Sequence, residues 1–465
     1  MSNLNLDFQA SAQNIREYID NETLFDLFEA DALQEILDLS SLNVSEFQSL
    51  VKLGSEKYKS GKLYPVIKGV KISDKPEPKN AILLLQIIRK KLHFKALDLA
   101  IKCLENSQTL SNQINQIKLQ LNSNPENAMK AFGFTDFESV YKHFETLCDK
   151  DDITSIRLCC IAGLSEVRDT KSGRTILIYS AYKGNGKLVR YLVEGGCNLN
   201  AVNNNGNNAV IVAAGFSDVE TVKFLIESGL DKNSRSEKFG LYPITNACWG
   251  GNVDIIKYLL SIGCDVNSVD NDKKSCLLTA AANGNLDAVK LLISLGADKN
   301  MKDKYGSNAI VLASINGHTE IIKYLHSIGF DVNSVDNEQI SCMPNAASNG
   351  NLDAVKLLIS LGADKNMKDK YDRNAIVLAS INGHTEIIKY LHSIGFDVNS
   401  VSCDHHSCLL MAANNGHLDA VKLLISLGAD KNMKNNYGNN AIALASNNGH
   451  TEVVKYLHSI GFDVT

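Results

Sequence analysis

The stretch from Asn283 to Asn300, NGNLDAVKLLISLGADKN, decides the fold of this chain because its pattern returns at a fixed distance. Its second glycine, Gly296, belongs to a series spaced by 33 residues, apart from one step of 34 residues between Gly229 and Gly263. Its first glycine, Gly284, belongs to a parallel series in which serine replaces glycine once, at 217. A period of this length is typical of proteins built from short stacked repeats.

Each repeat predicts a pair of helices. Leu286, Val289 and Leu292 fall on one face of a helix at the 3.6-residue period. The preceding segment, residues 275–282, predicts a shorter helix of small residues with Ser275 as its N-cap. One glycine then turns the chain between the helices, and the other ends the second helix in the left-handed conformation. Such a pair cannot bury its apolar face alone, so the repeats must stack.

A longer period of 66 residues overlies the short one, and it bears on the segment 403–408, CDHHSC, which resembles a metal-ligand cluster in composition. With this period the segment aligns with residues 271–276 and 337–342. Cys408 is therefore a further copy of a cysteine that opens a helix, and His405 occupies a variable loop position. Because zinc needs four converging ligands, we interpret the segment as a substituted loop tip and predict no metal and no cofactor.

The repeats resemble the ankyrin repeat, a family whose pattern contains A-A-x-x-G-H, V-x-L-L and G-A-D-x-N. The residues that carry this resemblance are Ala280, Ala281, Gly284, Val289, Leu291, Leu292, the run 296–300 and the pair Gly317-His318. The family's T-P-L-H signature is altered, for example to Tyr242-Pro243-Ile244-Thr245, and its histidine is absent. The resemblance implies an all-α fold, an ankyrin-repeat solenoid of stacked helix-turn-helix units preceded by a small helical N-terminal domain.

The domain organisation follows from where the repeat pattern begins. Residues 1–103 predict a helical N-terminal domain, because short amphipathic stretches precede a long helical pattern, and residues 104–138 predict a short helix and a linker. Residues 139–172 predict a degenerate capping repeat, in which Asp151 occupies the position of the inter-helix glycine. Nine repeats are predicted over residues 173–465.

Composition excludes several classes of function. The net charge of −5 provides no basic excess for nucleic acid, which we do not expect as a partner. No apolar run approaches the roughly 20 residues needed to span a bilayer, so no membrane insertion is expected. Eleven cysteines without a secretory signal are typical of a reducing compartment. We therefore expect a cytoplasmic protein.

Nothing in the sequence predicts catalysis. The histidines that follow the inter-helix glycine recur with the repeat, which favours a structural role in the turn over a string of catalytic bases; they are His318, His384, His417 and His450. Nucleophile elbows, metalloprotease motifs and paired-carboxylate sites are absent from the sequence. We predict that the protein is not an enzyme.

The family resemblance implies a concave surface formed by the loop tips and by the exposed side of each first helix. Large apolar residues that we predict to bind a partner there are Tyr182, Phe216, Phe239, Leu241, Trp249, Tyr305, Ile315 and Tyr371. Aromatic residues are common hot spots of protein interfaces. The alternative for Tyr305, Tyr371 and Tyr437 is that these rings only pack on the neighbouring loop.

These observations favour a non-catalytic interaction scaffold or adaptor that binds a protein partner along the concave face. The alternative is a structural spacer or tether that positions the N-terminal domain without tight recognition. The later repeats present asparagine, serine and isoleucine with nearly identical faces, which suits either a spacer or a second, weaker site. The sequence leaves the oligomeric state open.

Overall fold

The computed structural model describes residues 41–42, 71–72 and 125–462 of the chain. Two short strands, β1 (Ser41–Leu42) and β2 (Lys71–Ile72), pair in parallel with Ser41 opposite Lys71. The predicted helical domain of residues 1–103 otherwise lies outside this part, as does the helix predicted in the region before Pro125. Both stay predictions.

From Pro125 onward the described chain is helical. Three helices and a short 3-10 turn at Leu164–Glu166 come first: α1 (Pro125–Ala131), α2 (Phe137–Asp149) and α3 (Ile153–Ile161). Helix pairs follow. The first helices are α4 (Ile176–Tyr182), α6 (Ala209–Phe216), α8 (Pro243–Gly250), α10 (Cys276–Ala282), α12 (Ala309–Ile315), α14 (Cys342–Ser348), α16 (Ala375–Ile381), α18 (Cys408–Asn414) and α20 (Ala441–Asn447). The second helices are α5 (Gly186–Glu194), α7 (Val219–Glu227), α9 (Val253–Ser261), α11 (Leu286–Ser294), α13 (Thr319–Ser327), α15 (Leu352–Ser360), α17 (Thr385–Ser393), α19 (Leu418–Ser426) and α21 (Thr451–Ser459).

The chain forms two compact units. One comprises Met1–Thr170 with Lys187–Asn198, and the other comprises Lys171–Gly186 with Leu199–Thr465. In the second unit each first helix packs on the first helix of the next repeat, from α4 to α20, and the second helices α7 to α21 pack in the same way. This arrangement confirms the predicted stacked helix-turn-helix repeats.

Most first helices begin at a polar residue whose side chain caps them, although Ser341 before α14 makes no such bond. Ser275 Oγ accepts the backbone N–H of Leu278 at 3.3 Å, as its predicted N-cap role requires. Repeats with asparagine at this position use the side-chain oxygen in the same way, as Asn308 does for Val311 at 3.1 Å. In α8 the roles are exchanged, because the backbone N–H of Tyr242 donates to the hydroxyl of Thr245 at 2.9 Å.

Glycine between the two helices satisfies two requirements at once. Gly284 has a φ of +81°, and a Cβ atom there would lie 2.8 Å from the ring of His318 in the next repeat. Glycine therefore supplies both the left-handed backbone and the room for a side chain from the following repeat. The substitution at Ser217 removes the first requirement, since its φ is −108°. Asp151 keeps the left-handed backbone, with a φ of 55°.

The core lies between the helix layers, and the loops are joined separately. Leu277, Val289 and Leu292 are at most 1% exposed, as the helical pattern predicts. Outside the core the loops are linked by backbone hydrogen bonds: the N–H of Lys304 donates to the carbonyl of Asp272 at 2.8 Å. The same link recurs one repeat later, where the N–H of Asn337 donates to the carbonyl of Tyr305. Every repeat is thus tied to its neighbour by apolar packing and by its loop.

One loop position takes the left-handed conformation in repeat after repeat. Glycine occupies it in several repeats, with a φ of +81° at Gly306. Other side chains replace glycine at Lys273, Gln339 and His405, whose φ values are 59°, 61° and 60°. The first histidine of the CDHHSC segment therefore stands at a loop position that favours glycine.

Candidate protein-binding surface

Aromatic rings from three consecutive repeats form a continuous row in the second unit. The ring centroid of Phe216 lies 4.8 Å from that of Tyr182, in an edge-to-face arrangement, and 5.2 Å from that of Trp249. Tyr179 extends the row, with its centroid 6.2 Å from that of Tyr182. We call these four residues the aromatic row. The separations fall within the range in which aromatic pairs attract each other beyond simple burial.

Local sequence differences place these rings at the ends of their helices. Helices α6 and α8 have eight residues, whereas α10 has seven. The backbones of α6 and α8 also approach closely, because a Cβ atom on Gly250 would lie 2.4 Å from the carbonyl oxygen of Gly215. Glycine at both positions therefore permits the approach that brings Phe216 and Trp249 together.

Hydrogen bonds between repeats fix the backbone beneath the aromatic row. Asn246 donates its side-chain N–H to the carbonyl of Ile211 at 2.7 Å. The hydroxyl of Ser217 donates to the carbonyl of Ala181, also at 2.7 Å. Asn285 donates to the carbonyl of Trp249 itself at 2.8 Å. Each ring is thus carried by a segment that is tied to the neighbouring repeat, so the row is pre-organised.

The aromatic row remains accessible despite these contacts. Phe216 is 40% exposed and Trp249 is 45% exposed, while Tyr182 is half-buried. The guanidinium carbon of Arg174 lies 3.9 Å from the centroid of the Tyr182 ring, and the Lys183 ammonium lies 5.3 Å from that of Tyr179. Cations at these distances are attracted by the ring faces. The row is therefore an exposed apolar surface with positive charge beside it.

The loop before α8 carries two more of the predicted residues. Phe239 is 45% exposed, and the ammonium of Lys238 lies 5.3 Å from its ring centroid. Leu241 is half-buried. The carbonyl of Phe239 accepts the backbone N–H of Asn271 at 2.9 Å, which fixes this loop to the next one. Ring contacts thus join Tyr182, Phe216 and Trp249, while Phe239 and Leu241 stand on the loop.

The remaining predicted residues lie in later repeats. Tyr305 is 57% exposed and has the Lys304 ammonium 4.9 Å from its ring centroid. Tyr371, 43% exposed, has the Arg373 guanidinium at 4.8 Å. Ile315 is half-buried at the end of α12. These residues are separated from the aromatic row by at least one repeat. The tyrosine of the last repeat, Tyr437, is the most exposed of the three loop tyrosines at 73%.

Sequence reasoning missed Tyr179 and Arg174. Tyr179 precedes Tyr182 by three residues, a spacing that places two side chains on the same face of a helix. That signal was available in the sequence. Arg174 precedes the N-cap residue Thr175, and nothing in the sequence indicates that its guanidinium lies on a ring nearly one helix length away.

The recurring histidines and the CDHHSC segment make structural contacts. Nε2 of His384 lies 3.0 Å from the carbonyl oxygen of Ser348, one repeat earlier, and the other three turn histidines make the equivalent contact. Asn435 donates to Nε2 of His406 at 3.0 Å, and Cys408 is fully buried. Burial lowers the pKa of His406 and raises that of the Cys408 thiol to about 12. Within residues 125–462 no group of three or more His, Cys, Asp or Glu side chains is placed to hold a metal ion.

Among the helices between Pro125 and Phe462, none combines the length with the apolar character that a membrane crossing requires.

Comparison with known families identifies the class of protein. A family model of ankyrin repeats in three copies matches residues 147–236, 244–336, 280–369, 345–435 and 376–465. The chain therefore belongs to the ankyrin repeat family, as its sequence pattern predicted. Ankyrin repeats are generally modules of protein–protein interaction, and the family is typically non-enzymatic.

Individual relatives match only part of their own length. The chain is 27% identical over 148 residues to a putative ankyrin repeat protein of Acanthamoeba polyphaga mimivirus. The aligned region is 30% of this chain and 22% of the relative. The chain is 30% identical over 99 residues to ankyrin repeat and SAM domain-containing protein 6 of Rattus norvegicus, covering 21% of this chain and 11% of the relative. It is also 30% identical over 92 residues to protein fem-1 homolog A-like of Mus musculus, covering 19% and 14% respectively. The chain thus spans less than a quarter of each relative.

Proposed function

We propose that the protein is a non-catalytic scaffold or adaptor that binds a protein partner through the aromatic row. The observation that carries this proposal is that rings from three consecutive repeats contact each other while Phe216 and Trp249 stay 40% and 45% exposed. Exposed apolar surface costs free energy in water, and contiguous patches of it mark interaction sites. Phe239 and Leu241 on the adjacent loop belong to the same proposed surface.

The aromatic row has the properties of an interface hot spot. Truncation of an aromatic hot spot to alanine costs at least about 2 kcal/mol of binding free energy. The row is rigid as well, because its helices are tied by the bonds from Asn246, Ser217 and Asn285. A rigid surface loses little conformational entropy when a partner binds. Tyr305, Ile315 and Tyr371 extend the proposed contact surface into later repeats.

A spacer or tether is the second candidate, and the later repeats favour it. Asparagine precedes the inter-helix glycine in each of them, and it donates its amide to a carbonyl of its own helix, as Asn316 does to Leu312 at 3.0 Å and Asn415 does to Met411 at 2.9 Å. These side chains satisfy their own helix ends and offer little apolar surface. The cysteines of the described chain are unpaired with one another, which is consistent with our proposal of a reducing, cytoplasmic location.

Affinity capture with the full chain tests the proposal. Wild type is compared with Phe216→Ala, with Trp249→Ala and with the control Tyr437→Ala, which removes an exposed ring far along the array. We expect the first two variants to lose specific partners that wild type and the control retain, as measured by mass spectrometry of the captured proteins. Equal recovery by all four proteins would favour the spacer.

A further inference from the structure

The loops and first helices around the aromatic row carry an excess of positive charge. Residues 171–186, 199–217 and 231–251, which supply the loops and first helices of three repeats, carry six lysines and arginines and two acids. The chain as a whole has a net charge of −5. Arg174, Lys183, Arg235 and Lys238 are the cations of this part that contact aromatic rings, and we call them the basic rim.

The local charges that do not belong to the basic rim are partly engaged within the fold. Asp231 accepts the backbone N–H of Asn233 at 2.9 Å and thereby closes its own turn. Lys232 donates to the carbonyl of Ile262. Asp218, which follows directly after this part, accepts the backbone N–H of Thr221 at 2.7 Å. These bonds to neutral backbone groups leave the acids charged, so six lysines and arginines are set against three acids, Asp218, Asp231 and Glu237. Because a cation near a ring face stays attractive to anions, the rim leaves a positive potential along the aromatic row.

We propose that this surface recognises an acidic peptide segment of a protein partner, one in which apolar side chains alternate with aspartate or glutamate. This inference rests on the proposed function and adds the chemistry of the partner. The apolar side chains would pack on Phe216 and Trp249, and the acids would pair with the basic rim. Complementary charge of this kind increases the rate of association and selects against other partners.

The geometry of the rings favours a peptide over single-stranded nucleic acid. Proteins that bind single strands stack bases on accessible aromatic faces along a basic groove. Here the Phe216 ring is edge-on to Tyr182, at an interplanar angle of 62°, and is tilted by 51° against Trp249. Neighbouring rings are therefore inclined to one another and do not form a stack of parallel faces. Branched apolar side chains suit the ridges of such a row better than flat bases do.

Trp249 supplies a direct readout, because it is the only tryptophan of the chain and is 45% exposed. The full-length protein is titrated with a short synthetic peptide of alternating glutamate and leucine, and tryptophan emission is recorded. Two matched peptides carry glutamine or lysine in place of each glutamate, and an oligouridylate tests nucleic acid. We expect a blue shift of emission with the acidic peptide, an affinity about tenfold lower for the glutamine peptide, and weakening by added salt.

Charge reversal tests the basic rim itself. We expect Arg235→Glu combined with Lys238→Glu to lower the affinity for the acidic peptide about tenfold at low ionic strength. The control is Lys257→Glu combined with Lys434→Glu, which changes the net charge equally at exposed positions outside the rim, and it should bind as wild type does.

The outcomes separate this inference from the proposed function. Equal affinity for the acidic and glutamine peptides, equal effects of the two double variants, or no shift with any peptide would each overturn the acidic-peptide inference. Preference for oligouridylate would overturn it as well. In each case the affinity capture with Phe216→Ala and Trp249→Ala decides independently whether the aromatic row binds a partner at all.

Discussion

Nε2 of His318 lies 3.0 Å from the carbonyl oxygen of Ala282, 36 residues earlier in the chain. The carbonyl only accepts, so the imidazole must carry its proton on Nε2 and donate it across the boundary between two repeats. Asparagine makes the same link where it replaces this histidine, since Asn351 donates to the carbonyl of Ile315 at 2.7 Å. The recurring histidines thus form hydrogen bonds between neighbouring repeats, which agrees with their predicted structural role.

His318→Leu should lower the free energy of unfolding by about 1 kcal/mol, because a half-buried hydrogen bond is lost and the carbonyl of Ala282 is left without it. His318→Asn should retain most of that stability, since asparagine makes this bond at Asn351. Urea denaturation of the three proteins measures the difference. Equal destabilisation by both substitutions would mean that the imidazole contributes through packing rather than through the hydrogen bond.

His405→Gly should stabilise the fold by about 0.5–1 kcal/mol, because the left-handed backbone at a φ of 60° costs free energy for any residue with a Cβ atom. The equivalent position in another repeat provides the control. Gly306→His should destabilise the protein, since a Cβ atom on Gly306 would lie 2.2 Å from the side-chain oxygen of Asn337. Thermal denaturation monitored by circular dichroism compares both variants with wild type, and a lower melting temperature for His405→Gly would contradict the prediction.

Buried thiols should make the protein sensitive to alkali. Burial raises the pKa of Cys342 and Cys408 from 9.0 to about 12 in the folded state. The folded protein therefore holds these protons more tightly, and their stabilising effect is complete below about pH 9 and is lost as the pH rises toward about 12. The loss is at most about 1.4 kcal/mol per pH unit for each thiol.

Cys408→Ala should therefore lose stability less steeply than wild type above about pH 9, because the titrating thiol has been removed. Lysine and tyrosine side chains also titrate at alkaline pH, so the difference between the variants is needed to isolate the effect of the Cys408 thiol. Cys403→Ala, which changes an exposed thiol in the same loop region, should follow the wild-type curve. The urea denaturation midpoint of each protein is measured across this pH range. Parallel plots of midpoint against pH for wild type and Cys408→Ala would refute the effect of the thiol.

Asp151 should contribute stability in two ways that substitution can separate. Its carboxylate accepts the hydroxyl of Tyr191 at 2.6 Å and the ammonium of Lys187 at 3.0 Å, and its backbone is left-handed with a φ of 55°. Asparagine keeps an acceptor and tolerates this backbone, glycine keeps only the backbone, and alanine keeps neither. The denaturation midpoint should therefore fall in the order Asp151→Asn, Asp151→Gly, Asp151→Ala. The exposed neighbour Asp149→Ala should remain close to wild type, and a different order would show that one of the two contributions is negligible.

The helical pairs could be predicted because their signals are local and repeated. Ser275 as an N-cap, Gly284 as the turn between the helices, Gly296 as a left-handed residue and Val289 as a core residue all follow from the sequence and are confirmed. Tyr182, Phe216 and Trp249 were predicted to lie on one surface, whereas Tyr179 of the aromatic row was not predicted. Nothing local indicates that Phe216 contacts Trp249, because this contact depends on how closely two helices of different repeats approach.

The sequence by itself determined the repeat, the helix pairs and the membership of the ankyrin family, since periodicity and capping act over a few residues and recur along the chain. The tertiary structure alone decided which rings meet, that Arg174 lies on Tyr182, and that Asn246 bonds to Ile211. The physical reason is that these contacts join residues of different repeats or of opposite ends of one helix. Those between α6 and α8 depend on the close backbone approach at Gly215 and Gly250. Packing of this kind depends on all the surrounding side chains at once, whereas a helix start depends only on its neighbours.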